Sequence, residues 1–380
     1  MAKSIYLDHA AATPMDKRVV TAMQPYFSDK FYNPSATYLA AKHTADDLKA
    51  ARSLAAQTLG ARLSEIIFTA GGTEANNLAI HGVMSQYSGA NCVVSAIEHE
   101  SVLRPAECYA TRLAPVNGQG IVDEAALTQL IDEQTVLVSI MYANNEIGTV
   151  QPIREIAQLI ADIRKRRRQT GNKLPLLLHT DAAQATNYLD VHVARLGVDL
   201  MTLNGGKMYG PKQSGMLYVK AGVALRPLID GGGQEQGLRS GTENVAAAIG
   251  FAAAFEIAQT IRHDEIVRLQ LLQKQFVSEV LTAVPSAQLN GSKSKRLPNN
   301  IHLTFPGVDN ERLLIQLDEA GIMAAAGSAC SASNEEPSHV LRALGLGDEV
   351  AQSSVRFTLG RSTTASDIKT VVRTLVQLLA

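Results

Sequence analysis

The sequence predicts an α/β fold, with a mostly parallel sheet covered by helices and a smaller α+β domain after it. Three observations carry this expectation. Apolar runs bounded by polar or turn signals recur as far as Val219, helical periodicity lies between several of them, and after Pro285 short strand-like segments interleave with helices.

Taken in order, EIIFTA (Glu65 to Ala70) leads into GGTEANN, and CVVSAI (Cys92 to Ile97) into Glu98 and His99. VLVSIMYA (Val136 to Ala143) leads into NNEIG, LPLLLHT (Leu174 to Thr180) into DAAQA, and DLMTL (Asp199 to Leu203) into NGGK. In PIREIAQLIADIRKRRR, Pro152 suits the first helical turn, and Ile153, Ile156, Ile160 and Ile163 share one face. Its terminal run, Arg164 to Arg168, reads as a solvated helix end whose cations suit the dipole. The glycine-rich GGGQEQGLRSGTEN precedes helical stretches at about Val245 to Ala258 and Glu265 to Val284. Beyond them, NNIHLTF and SSVRFTL read as strands, and ERLLIQLDEAG, SHVLRALGL and the tail from Ser366 as helices. Open parallel sheets bind ligands beyond the carboxyl ends of their strands, where Thr73, His99, Asn145, Asp181 and Lys207 all fall.

Composition narrows the function classes. With 380 residues, of which 46% are hydrophobic, the chain has material for a substantial core. Its 35 basic and 36 acidic side chains create no global field for nucleic acid or an anionic membrane, so small molecules and proteins are the expected partners. The N-terminus lacks a basic segment followed by an apolar one, and no apolar run approaches a membrane span, so a soluble cytoplasmic protein is expected. Cys92, Cys108 and Cys330 are too sparse for a disulfide framework or a cysteine-rich zinc site, and no metal-ligand cluster is evident.

The chemistry gathers around three segments. In GGTEANN, Gly72 allows close backbone approach and Thr73 opens a helix whose free N–H groups attract phosphate, although a plain capped helix has the same pattern. Neither a Walker-type GxxxxGK[ST] nor a GxGxxG is present. Asp181 follows a buried-looking strand, where an isolated carboxylate is costly and a cationic partner is expected; a protonated pyridine nitrogen would suit it. With Lys207 as the amine, these features make a coherent pyridoxal phosphate site.

The full series YLDHAAATP, NPSATY, EIIFTAGGTEANNLAI, IEHESVL, LVSIMYANNEIGTVQPI, HTDAAQA, KMYGPK, GGGQEQGLRSGTEN, RLPNNIHLTF, GSACSASNEEPSHVLRALGL and SSVRFTLGR spans nearly the whole chain. It resembles the cysteine desulfurases of the NifS and IscS type, pyridoxal phosphate enzymes of the class V aminotransferase group. The resemblance implies a fold-type I transferase with a seven-stranded-type sheet. It implies a large cofactor-binding domain over 15–255 and a small α+β domain over 1–14 and 256–380.

It also implies roles. Lys207 would form the Schiff base with the cofactor and shuttle protons, Asp181 would pair with the pyridine nitrogen, His99 would stack on the ring, and Gln184 would bind its phenolic oxygen. Gly72 and Thr73 would hold the phosphate, with Asn204 standing in for the family's Ser and Thr242 reaching the same group from a second subunit of a homodimer. Asn145 and Arg356 would bind the carboxylate of L-cysteine, Arg356 by a bidentate pair. Cys330, set among small and polar residues, would be the nucleophile that takes the sulfur as a persulfide and releases alanine. Cys92 and Cys108 read as structural. An iron–sulfur scaffold or a tRNA-thiolation enzyme would accept the sulfur. A related lyase or transaminase, and a non-catalytic sulfur-transfer subunit, are the alternatives; Cys330 argues against transamination, and the retained Lys207, Asp181, Cys330 and Arg356 argue against the subunit.

One departure stands out. The family usually carries Ser, a small residue and His before the lysine, where this chain has Asn204, Gly205 and Gly206. A hydrogen bond to a charged group is worth ~1.5 to 3 kcal/mol. Without compensation by backbone N–H groups or another residue, cofactor affinity would fall roughly tenfold to a hundredfold. Ala12 also stands where the family often has Thr, and the chain ends at Ala380 without the longer tail of some scaffold-binding members.

Overall fold

A computed structural model describes residues 4–327 and 338–379. The chain starts with strand β1 (Ile5–Tyr6) and then builds a seven-stranded sheet from β2 (Ile66–Thr69), β3 (Asn91–Ser95), β4 (Ala110–Ala114), β5 (Thr135–Ser139), β6 (Leu177–Asp181), β7 (Leu200–Asn204) and β8 (Gly215–Val219). Their order is β2-β8-β7-β6-β5-β3-β4, and β8 alone runs against its neighbours. The mostly parallel sheet expected from the sequence is therefore present.

Burial explains the apolar runs. Every residue of β3, β5 and β8 is buried, because helices cover both faces of the sheet. Successive side chains point to opposite faces: Met216 and Tyr218 join the cluster containing Ile153, Ile156, Ile160 and Ile163, while Leu217 and Val219 join the one containing Ala75, Leu78 and Val83. The isoleucine helix runs over Ile153–Gln169, with Pro152 at its N-cap, one place before the expected first turn.

The expectation of a solvated terminus holds for Lys165, Arg166 and Arg168, which are exposed, whereas Arg164 and Arg167 turn to the protein. Arg167 is 3% exposed. Its guanidinium donates to the carbonyl oxygens of Thr135 (2.8 Å) and Asp132. Arg164 donates to the carbonyl of Leu176 at 2.6 Å and pairs with the buried Asp199. These two cations bind the helix to the sheet instead of facing water.

The later part of the chain adds β9 (Gln288–Leu289), β10 (Asn300–Thr304), β11 (Ile322–Met323) and β12 (Ser354–Thr358). β10 lies between β9 and β12 in an antiparallel sheet, and β11 pairs in parallel with β1. Helices Arg262–Ala283 and Ala365–Leu379 pack Leu269, Phe276, Val371 and Leu375 against Leu303 and Phe357. Ile5 and Leu7 belong to this same cluster, so the start of the chain packs with its end. Helix Val245–Thr260 instead packs Phe251 and Phe255 into the cluster of the large sheet. Among the described residues, no single helix is long and apolar enough to cross a membrane.

Candidate active site

The carboxyl ends of β2, β3, β5, β6 and β7 open on one cleft of about 610 Å³. Among its lining residues are Gly72, Thr73, His99, Asn145, Asp181, Gln184, Asn204, Lys207 and Arg356. Nine positions expected from the sequence thus meet in one place. Thr242 does not join them: it lines a separate cavity of about 710 Å³ with Arg239, Glu243 and Asn244. Cys330 lies outside the described residues.

At one end of the cleft, β2 turns through Gly71 into helix Gly72–Met84. Gly71 has φ 142, a conformation reserved for glycine, and no side chain caps the helix. Its first N–H groups and the dipole are therefore available to an anion beside Thr73. Close packing sets this turn: a Cβ on Gly215 would lie 2.5 Å from the Gly71 carbonyl carbon.

At the other end, β6 delivers Asp181, which is 7% exposed. Asn76 Nδ2 donates to its Oδ2 at 2.7 Å, and the Ala183 N–H donates to Oδ1 at 2.9 Å. Asn76 Nδ2 also donates to Ser101 Oγ at 2.8 Å, and Ser101 Oγ lies 2.8 Å from His99 Nδ1. Because Nδ1 also accepts the Ser101 N–H at 3.1 Å, the imidazole keeps its proton on Nε2. Burial lowers the pKa of His99, with Lys207 acting in the same direction and Asp181 opposing it, so the ring is neutral at pH 7. Beneath Asp181, His179 spans Ser139 Oγ (2.8 Å) and Thr202 Oγ1 (3.1 Å), joining β5, β6 and β7. Burial pulls its pKa down to about 4.

Lys207 occupies a tight turn, Gly205–Lys207, directly after β7. Its Nζ donates to the Ala11 carbonyl at 2.6 Å, and Gln184 Nε2 donates to the Ala10 carbonyl at 3.0 Å. On the far wall, Arg356 is 1% exposed and stands mid-strand in β12, opposite His302. Its Nη2 donates to Asp8 Oδ1 at 2.7 Å and its Nη1 to the Asn145 carbonyl at 3.2 Å, while Nε has no partner among the described residues. The guanidinium is anchored yet keeps donor capacity.

Some site residues were not assigned from the sequence. Asn76 and Ser101 connect Asp181 to His99, and their signal lay within GGTEANN and IEHESVL. Glu98 is fully buried, with Oε1 accepting the Met141 N–H at 2.5 Å. Burial first, and then the Asp181 carboxyl, push its pKa well above the usual carboxylate range. Of the remaining cysteines, Cys92 is buried in β3 as expected, whereas Cys108 is exposed and has no packing role to support a structural assignment.

The donors fit pyridoxal phosphate. One cleft combines an uncapped helix start, a hydrogen-bonded carboxyl, an amine and a guanidinium with an orphaned Nε. A mostly parallel sheet with such a cleft defines an α/β enzyme of the fold-type I kind. Residues 5–371 match the family model Aminotransferase class-V, and the chain belongs to that family. It is 42% identical over 375 residues to cysteine desulfurase IscS of Dictyoglomus turgidum, covering 97% of this chain and 92% of that protein. A solved NifS-like protein superposes with a TM-score of 0.91 at 30% identity, covering 99% of each chain. The structure of SspA in complex with cysteine gives 0.81 at 33% identity, covering 94% of this chain and 99% of that one.

Proposed function

We propose that the chain is a pyridoxal phosphate-dependent cysteine desulfurase, converting L-cysteine to L-alanine and a persulfide on Cys330. The observation that carries this is the convergence of Lys207, Asp181, His99, Asn145 and Arg356 on one cleft beside an uncapped helix N-terminus. When bound, the cofactor supplies an electron sink for bond cleavage at the amino acid.

The protein's own groups do the rest. Gly72, Thr73 and Asn204 would hold the phosphate, Gln184 would meet the phenolic oxygen, and the neutral His99 would cover the ring. Asp181, held by Asn76 and the Ala183 N–H, would accept a hydrogen bond from the protonated ring nitrogen and keep it protonated. The Lys207 amine would hold the cofactor at rest and, once released, would move protons at the substrate carbons. Arg356 and Asn145 grip the substrate carboxylate. The Cys330 thiolate attacks the substrate sulfur, forming an S–S bond as the Cβ–S bond breaks, and Cβ gains a proton to give alanine.

Thr242, which lines a separate cavity, serves the cofactor of a second copy in a homodimer; its separation from the chain's own cleft is in keeping with this reading. The large domain comprises 15–255, and the small one comprises 1–14 and 256–380. The persulfide passes to an acceptor protein, an iron–sulfur scaffold or a tRNA-thiolation enzyme, in the cytoplasm.

The test incubates protein, cofactor, L-cysteine and a reductant, and measures sulfide and alanine. Wild type should produce both, while Lys207→Ala and Cys330→Ser should not. A wild type that makes neither product, or a fully active Cys330→Ser, refutes the mechanism.

A further inference from the structure

The turn before Lys207 contains a substitute for the donors missing from it. The Gly206 N–H donates to Asn204 Oδ1 at 3.0 Å. Only the oxygen of an amide accepts, so this bond fixes the direction of the whole group, with Nδ2 on the opposite side. Nδ2 faces the start of helix Gly72–Met84: a Cβ built on Gly72 would lie 3.2 Å from it. Gly72, Thr73 and Asn204 line the same end of the cleft. No bond from Nδ2 to another described residue competes for its hydrogens.

A Cβ at Gly206 would lie 3.4 Å from Asn204 Oδ1, an ordinary contact, and 3.3 Å from Lys212 Cδ, so little free space is left beside the amide. The Gly206 carbonyl is fixed as well, accepting from Thr13 Oγ1 at 3.1 Å and from the Thr13 N–H at 3.3 Å. Lys212, which fills the space beside Gly206, donates its amine to the Thr13 carbonyl. The peptide that carries the orienting Gly206 N–H is held through its own carbonyl, that of Gly205, which accepts from the Met208 N–H at 3.1 Å and the Gly210 N–H at 2.9 Å before any ligand arrives.

We propose that Asn204 Nδ2 is a phosphate donor specific to this turn, aimed by the Gly206 N–H and acting with the uncapped helix start at Gly72 and Thr73. The Gly206 N–H and the Asn204 amide then act together, the one fixing the direction of the other. The proposal rests on the pyridoxal phosphate assignment above.

The test compares pyridoxal phosphate with pyridoxal, which lacks the phosphate. Protein freed of its cofactor is titrated with each by visible absorbance, in wild type and in Asn204→Asp and Asn204→Ala. Asn204→Asp retains the acceptor for Gly206 but turns the donor into an oxygen. Loss of a hydrogen bond to a charged group predicts roughly tenfold to hundredfold weaker pyridoxal phosphate binding. Pyridoxal binding should be unchanged in both variants. Unchanged pyridoxal phosphate affinity in Asn204→Asp overturns the proposal, as does an equal loss for both ligands, which would mark a role in the turn alone. A wild type that binds neither ligand at Lys207, as judged by borohydride reduction and peptide mapping, instead removes the underlying cofactor assignment.

Discussion

Replacing His179 with Gln should make the protein less sensitive to acid while making it less stable at neutral pH. The folded pKa of His179 is about 4 because burial penalises its charged form, against an unfolded value of 6.5. Between those values the unfolded chain binds a proton that the folded chain refuses, so stability rises with pH across the window and falls on acidification. At pH 4.5 the integrated penalty is about 2.5 kcal/mol, and at pH 7.5 it is close to zero. Glutamine carries no such penalty, but it disturbs the bonds to Ser139 Oγ and Thr202 Oγ1, costing about 1–3 kcal/mol at neutral pH. His302, whose pKa is lowered to about 3, contributes equally to both proteins and cancels in the comparison. Urea unfolding followed by circular dichroism from pH 7.5 to 4.5 should show the wild-type advantage shrinking by about 2.5 kcal/mol. Parallel pH profiles would refute the assignment of a buried neutral imidazole at this position.

Two further perturbations probe the cleft. Arg356→Gln removes the guanidinium beside Asn145 and should raise KM for L-cysteine by roughly tenfold or more, the worth of a charge-assisted bond, in an alanine-release assay; an unchanged KM places substrate recognition elsewhere. Gly215→Ala drives a Cβ into the Gly71 backbone at 2.5 Å and should destabilise the protein by about 1–3 kcal/mol. Its thermal midpoint and pyridoxal phosphate affinity should fall together, whereas a wild-type midpoint would mean that the turn yields at no cost.

The strands that feed the cleft were legible because both their faces are buried, which turns them into continuous apolar runs ending in polar residues. β4 was not singled out: it lies at the sheet edge, and its sequence, ATRLA, carries Arg112 and an exposed Leu113. The arginine run misled because the acceptors for Arg164 and Arg167 are carbonyls and a carboxylate supplied by other segments. Spacing within a helix carries no trace of them. Asp181 shows a related limit. Its expected cationic partner is not a side chain of the described residues, and its neutral support, Asn76, comes from a motif read only for phosphate. Thr242 was legible as a motif residue, but no local pattern could show that it opens on a different cavity.

The opening residues have a consequence for the order in which the site becomes usable during synthesis. Asp8, Ala10 and Ala11 hold Arg356, Gln184 and Lys207 respectively, and Thr13 holds Gly206. These residues must therefore wait for later segments of the chain before their partners exist. The lysine, the carboxyl and the helix start emerge well before β12 brings Arg356 to Asp8, 348 positions further along. On the proposed assignment, a growing chain presents Lys207, Asp181 and the helix start while still lacking Arg356, so the carboxylate of an amino acid meets no guanidinium until β12 has been made.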